Sequence, residues 1–506
     1  MSQQEPNKKW MPLIIGLVLV LLMFGLSVSI AGGGGGASGP VVPVPATFTI
    51  ISLVNGTSYN AYLSTSTIVP FFSESSFQKI MQTDVLSSSA CFLGCSIALL
   101  PGKFNQTETI NVTRPGIAIS GTFASVIYPQ KTVFHSPFHS AFNLLSTATG
   151  FAAQGFKMDD YNRVNSTGIT GDLFTVGSSG WLFNQLTIWN ASSNGISVPS
   201  GSNGIVSFST IISTIKLCTT FGPLQNCNGN YGILIGTAAT SIRIDFNTIS
   251  MFNFTDTSAI NMANGASNIE VGSNEIFQNS FGISSQWGKA LNIHDNKIHD
   301  NFGAGILLTT GAFGSASAGP ITITANVITN NGKEPNTDVQ CNNLRCSGIV
   351  LRGVRPIWDG VTIVGNTIKD TQASPTQYFD IHLASVNYSN LTITGNTLGR
   401  TRNGTLVFLA VNPLKTWIIT ANPGFNAQPV RGPITACATP CTYVNNDAYM
   451  EQIELITIGD MTAFTCRGIA NIIQVDAISP VLNTLETCIF TYVLTAPTYD
   501  VLPMQG

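Results

Sequence analysis

Charge is the scarcest property of this sequence. Only 9% of its 506 residues are Asp, Glu, Lys or Arg, against about 25% in an ordinary soluble domain. The net charge is −3 and no basic run or patch occurs, which argues against a nucleic-acid partner. There are only 5 histidines. None stands near a cysteine pair, so no zinc ligand set forms, and neither a metal nor a cofactor is expected. The hydrophobic fraction is an ordinary 44%. Ser, Thr, Asn and Gly must therefore supply a polar, largely uncharged surface. At this length a single compact core of ordinary shape is excluded.

One long apolar run is present. Residues 11–31, MPLIIGLVLVLLMFGLSVSIA, follow Lys8 and Lys9. A membrane-spanning helix needs about 20 apolar residues, whereas the apolar part of a signal peptide has about 7–15. Residues 1–31 are therefore expected to be an uncleaved anchor, with a signal peptide ending near Ser29-Ile30-Ala31 as the alternative. Both keep the lysines cytoplasmic. Both export the remainder, giving an extracellular or cell-surface protein, membrane-anchored or secreted. Residues 32–46, GGGGGASGPVVPVPA, read as a flexible and then extended spacer.

The ten cysteines fall into local pairs: Cys91/Cys95, Cys218/Cys227, Cys341/Cys346, Cys437/Cys441 and Cys466/Cys488. An even count with near partners predicts disulfides in an exported chain. Sequons for N-glycosylation start at Asn55, Asn105, Asn111, Asn165, Asn190, Asn253, Asn387, Asn390 and Asn403.

A phrase repeats along the chain: IRIDFNTI around Asn247, IEVGSNEI around Asn274, LNIHDNKI around Asn296, ITITANVI around Asn326, VTIVGNTI around Asn366 and LTITGNTL around Asn396, with a weaker copy at Asn422. Successive Asn are 27, 22, 30, 40, 30 and 26 residues apart. Alternation with period two marks a strand, and its recurrence every 20–50 residues or so marks a solenoid. A second strand precedes most copies, as in GILIG at Gly232, GILLT at Gly305 and GIVLR at Gly348. A third follows the Asn. Three short parallel strands per turn predict a right-handed parallel β-helix. The Asn stands at the corner between the second and third strands, where its amide can bond to the next Asn in a ladder.

This pattern resembles the pectin-lyase-like β-helix superfamily, from about Ser75 to Asn426. The stretch SSFQKIMQTDVLSS reads as a helix capping the coil's open end. After Asn426 the period stops. Short alternating strands there suggest a β-sandwich over 427–506, similar to C-terminal modules of some archaeal surface proteins. The expected chain is thus all-β: a right-handed parallel β-helix over 47–426 and a small β-sandwich, preceded by one transmembrane or signal helix.

In the resembling superfamily, chemistry sits on the face of the first strand. Here the outward positions of that face, from Ser197 to His382, show no paired carboxylates of the kind glycoside hydrolysis uses. The motif HDNKIHD (residues 294–300) is read as solvated surface, with no carboxylate stacked beside either histidine. Charge and insertions concentrate between residues 333 and 382. Arg352, Asp359, Asp370, Asp380 and His382 are the candidate catalytic residues there, with Arg355, Trp358 and Tyr378 as candidate sugar contacts. Long loops also collect polar residues without any function.

Three functions follow: a surface-displayed carbohydrate-binding or adhesive protein, a polysaccharide lyase or glycoside hydrolase, or a structural surface or virion-spike subunit that self-associates. The expected partners are a polysaccharide or surface glycan, the membrane through the N-terminal helix, and for the third function further copies of the chain.

Overall fold

The computed structural model describes residues 46–503 apart from 54–56, 64–69, 130–139, 161–170, 192, 214–230, 253–256, 287, 311–318, 334–345, 354–357, 386–387, 403–406, 410–417, 421, 423–430, 446–450, 472–479 and 483–485. Among the described residues no helix is long and apolar enough to cross a membrane; the apolar run 11–31 lies outside them.

The chain winds in rungs of three strands. One rung runs through Ile306–Thr310, Ile321–Thr324 and Val327–Thr329, and the next through Ile349–Gly353, Trp358–Val364 and Thr367–Lys369. Each strand pairs in parallel with its equivalent one rung away. First and second strands share one large sheet, because Ile196–Ser207 and Tyr231–Asp245 each run through the corner between them. Third strands form a sheet of their own. Inward Ile side chains stack from rung to rung: Ile293, Ile323, Ile363 and Ile393 on second strands, and Ile276, Ile298, Ile328 and Ile368 on third strands, all fully buried. Each such burial stabilises by roughly 1.5–3 kcal/mol.

The coil's sheet begins earlier than Ser75. Ala46–Leu53 pairs in parallel with Cys95–Leu99 and antiparallel with Ser58–Leu63. The expected helix is a short α-turn, Phe77–Lys79, continuing as a π-helix, Ile80–Val85. It buries Phe77, Ile80, Met81 and Val85, with Phe77 against Tyr59 and Phe104.

The corner asparagines form a continuous ladder. Nδ2 of Asn247 donates to Oδ1 of Asn274 at 3.0 Å. The same bond, at 2.9 Å, links Asn274 to Asn296, then Asn326, Asn366, Asn396 and Asn422. Each Oδ1 also accepts the backbone N–H of the preceding Asn. The amide thus satisfies backbone groups that the bend withdraws from the sheet.

A second ladder, absent from the sequence reading, lines the corner after the third strand. Asn279 donates to Asn301 at 3.0 Å and Asn301 to Asn331 at 2.9 Å. These asparagines pack against the start of the first strands, where the chain places glycine. A Cβ on Gly305 would lie 2.8 Å from the Gly348 carbonyl oxygen and 3.0 Å from Asn331 Nδ2.

Beyond the coil, two four-stranded antiparallel sheets occur. Ile453, Leu455, Tyr499 and Val501 of one share a buried cluster with Phe464 and Phe490 of the other. Phe490 stacks on Tyr499 at 4.7 Å. Disulfides join Cys91 to Cys95, Cys437 to Cys441 and Cys466 to Cys488. Cys346 is also disulfide-bonded; Cys341, Cys218 and Cys227 lie outside the described residues.

Candidate functional site

The charged region of the sequence maps to the rung after Asn331, where the second ladder stops. Asp370 follows the third strand Thr367–Lys369. Its Oδ1 accepts the Gln372 N–H at 2.9 Å, and its Oδ2 accepts the N–H groups of Thr376 and Gln377 at 2.6 and 2.9 Å. One carboxylate thus pins a whole loop. Gln377 then donates from Nε2 to Asp380 Oδ1 at 2.6 Å, and the Gly399 N–H donates to Asp380 Oδ2 at 2.7 Å.

Asp380 is fully buried. It takes the column position that Gly305 and Gly348 hold in the rungs before it, as the pairing of Ile306, Ile349 and Ile381 shows. Burial pushes its carboxyl well above the ordinary carboxylate range. The bonds from Gly399 and Gln377 act against that shift, and the charge of Asp370 adds to it. Asp380 therefore closes the corner of its own rung and does not face outward beside His382. Of the candidate catalytic residues named from the sequence, Arg352, Asp380 and His382 therefore do not share one face.

The other candidates scatter. His382 is 3% exposed, its ring tilted against Phe379 at 5.2 Å. Its rung neighbour Val350 clusters with Phe281, Ala304 and Leu307, apart from the main core. This stretch of the first-strand face is therefore apolar and buried. Arg352 is half-buried, opposite Thr309 and Ala384. Asp359 is exposed at the start of a second strand, and bonds from Ser389 Oγ (2.7 Å) and Asn390 Nδ2 (3.0 Å) hold its carboxyl below the usual range.

Trp358 is a correction. It lies in the core at 1% exposure and offers no face to a sugar. The left-handed Gly360 (φ 67°), with the left-handed Asn390 (φ 54°) at the same place one rung on, interrupts the alternation between Trp358 and Val361, and both of these face inward. Tyr378 is half-buried under the Arg402 guanidinium, 4.9 Å from its ring, with Arg402 Nη1 donating to its hydroxyl at 3.2 Å. Arg355 lies outside the described residues. The five candidate catalysts thus occupy a buried corner, a first strand and the start of a second strand.

The histidine motif is a second correction. Carboxylates flank both rings. His294 Nδ1 lies 2.8 Å from Asp295 and its Nε2 3.2 Å from Glu270. His299 Nδ1 lies 2.6 Å from Asp300 and its Nε2 3.4 Å from Glu275. The rung neighbour of His294 is Gly272, which has no side chain, so the ring lies across it and reaches Glu270 diagonally. Burial works to lower the His294 pKa, but the bonds to Asp295 and Glu270 prevail and raise it. Lys297 holds Glu275 below its ordinary range. Burial works to raise Asp300, yet Lys333 and His299 bring it down. Among the described residues no group of three or more His, Cys, Asp or Glu is arranged to hold a metal ion.

Four sequons are described. Asn390 is exposed, and Asn105 and Asn111 are half-buried. Asn190 is buried, with Nδ2 donating to Asp159 Oδ1 at 2.8 Å. Asn55, Asn165, Asn253, Asn387 and Asn403 lie outside the described residues.

Residues 172–353 match a family model described as "Right handed beta helix region". No curated protein sequence matches the chain. Solved structures similar to it include PfbA, a surface adhesin of Streptococcus pneumoniae, at 12% identity over 68% of this chain and 89% of that one, TM-score 0.49. The Dettilon tailspike protein gp208 is similar at 11% identity over 85% and 90%, TM-score 0.48. So is the A-module of the Azotobacter vinelandii mannuronan C-5 epimerase AlgE6, at 13% identity over 69% and 96%, TM-score 0.46. At such identities a likeness speaks only to the fold. The three-strand rungs, their parallel register and the matched family model make the coil of this chain a right-handed parallel β-helix.

Proposed function

We propose that this chain is an exported, surface-displayed β-helix that binds glycans without transforming them. One observation carries the reading. Asp370 and Asp380, two carboxylates of the charged region, are buried and occupied by N–H donors of the protein itself. They hold the corner together, and neither is presented to a substrate as an acid–base pair must be. The polar, weakly charged composition and the local disulfides support an exported location. In this reading residues 1–31 anchor the chain, 32–46 form a spacer, 47–426 the coil and 427–506 a β-sandwich module.

The test is a polysaccharide panel against the full chain, reading both binding and new chain ends, with wild type beside Arg352→Ala. Binding without new ends is the expected result. New ends that disappear in Arg352→Ala would replace this reading with a lyase or hydrolase. Neither binding nor new ends across a broad panel would leave a structural surface subunit.

A further inference from the structure

The residue before each ladder asparagine from Asn247 to Asn396, and before Ser209, which holds the same place one rung earlier, is left-handed and turned outward. Along the coil this position reads Phe208, Phe246, Ser273, Asp295 and Ala325, with φ between 50° and 55°, and then Gly365 and Gly395 at 67° and 64°. Small or polar residues suit such a corner. A phenylalanine there costs backbone energy, about 1–2 kcal/mol, and gains little burial: Phe208 is 58% and Phe246 48% exposed. The two rings stack at 4.9 Å with planes 5° apart, which is the rung spacing of the coil, about 4.8 Å. The stack stops at Ser273, one rung on, and Asp295 stands one rung further. The regular backbone bonds from Phe246 to Gly272 and from Ser273 to His294 fix this order.

Two rungs separate Phe246 from Asp295, about 10 Å, with only a serine between. A flat-faced ring seated over Ser273 would continue the stack at the same spacing. On its far side it would meet the exposed Asp295 carboxylate, held by His294 Nδ1 at 2.8 Å. Beside it on the second strands lies a chain of charges. Arg243 pairs with Asp245 at 2.7 Å, and Glu270 lies 3.2 Å from His294. Asp245 is 6% exposed, and its Oδ1 is buried without a hydrogen-bond partner.

We propose that the notch over Ser273 binds one pyranose ring of a neutral or amino sugar, its C–H face on Phe246 and its hydroxyls donating to Asp295. The chemistry of the walls selects this class. Aromatic faces take the apolar side of a sugar, and carboxylates accept from its hydroxyls. The three acids Asp245, Glu270 and Asp295 outnumber the bases Arg243 and His294, so a uronate meets net repulsion. The proposal rests on the glycan-binding reading and gives it a place at the other end of the third strands from the loop that Asp370 holds.

The full chain is titrated with three oligosaccharide probes: a neutral glucan, a chitosan and an oligogalacturonate. Wild type is compared with Phe246→Ala, with Ser273→Trp, which fills the third stacking place, and with Lys103→Ala as an unrelated change at an exposed position. Thermal melts establish that each variant is folded. Binding of the glucan or the chitosan that falls at least tenfold in both Phe246→Ala and Ser273→Trp, and holds in Lys103→Ala, is the expected result. Binding that survives both notch variants overturns the notch and leaves the glycan reading intact. Binding of the oligogalacturonate alone also overturns it. Binding of no probe, followed by none on the broad panel, overturns both.

Discussion

The corner between second and third strands carries asparagine from Asn247 to Asn422 without a break, whereas the corner after the third strand carries it only from Asn279 to Asn331. Both corners must satisfy the same backbone groups. The first does so with one residue type, and inserted residues leave it untouched because they fall elsewhere in the rung. The second meets an inserted loop at residues 371–379, and there Asp370, Gln377 and Asp380 take over. A repeated amide is independent of what the loops do. A carboxylate standing in for it is tied to one loop, and carries a titration with it.

The comparison is broken most severely by Asn326→Ala. That change removes amide bonds to Ile293 O, Thr324 O and Asn366 Oδ1 and leaves both donors of Asn296 without their acceptor. A loss of about 4 kcal/mol is expected, read as a shift in the denaturant midpoint. In the shorter ladder Asn301→Ala should cost less, about 2–3 kcal/mol, since its amide donates two bonds, to Ile276 O and Asn331, where that of Asn326 donates three, although both donors of Asn279 lose their acceptor as those of Asn296 do. Equal losses at the two corners would remove the distinction between them.

Asp380→Asn sharpens the contrast. The folded pKa of Asp380 is raised. Its contribution to stability is therefore full below about pH 4, the unfolded carboxylate value, and is lost as pH rises through the folded pKa. An amide does not titrate, so Asp380→Asn should raise the melting temperature at pH 7 and have little effect near pH 3. Melts at the two pH values decide it; a variant less stable than wild type at pH 7 would count against a raised folded pKa.

The smallest effect belongs to His294. Its folded pKa is also raised, so its stabilisation is full below about pH 6.5 and lost as pH rises through the folded value. His294→Gln should cost under about 1 kcal/mol at pH 6 and nothing measurable at pH 9. An imidazole titration followed by NMR should place the His294 midpoint above the unperturbed value.

The long ladder was legible because its strand phrase repeats with the asparagine always in one place. The short one was not: Asn279, Asn301 and Asn331 follow the phrase by five residues in three copies only, too few to stand out in a chain rich in Asn. The histidine partners were missed for a geometric reason. Register names the side chain directly opposite, and when that residue is Gly272 the ring reaches past it to Glu270. Trp358 was misplaced because an aromatic in a charged, loop-rich stretch reads as a sugar contact, whereas the left-handed Gly360 lets it face inward together with Val361. Asp380 was misread because it stands just before the strand Ile381–Ser385, where alternation does not yet apply. Repetition reveals scaffold, and single departures from it have to be seen in three dimensions.

The left-handed residue ahead of each ladder asparagine has one more consequence. Its backbone is set by the amides behind it, and its side chain touches little of the core. From Phe208 to Asp295 and on to Gly395 the row is therefore a line of interchangeable addresses at one fixed pitch. A new surface can be written there one letter at a time, without rewriting the support beneath it.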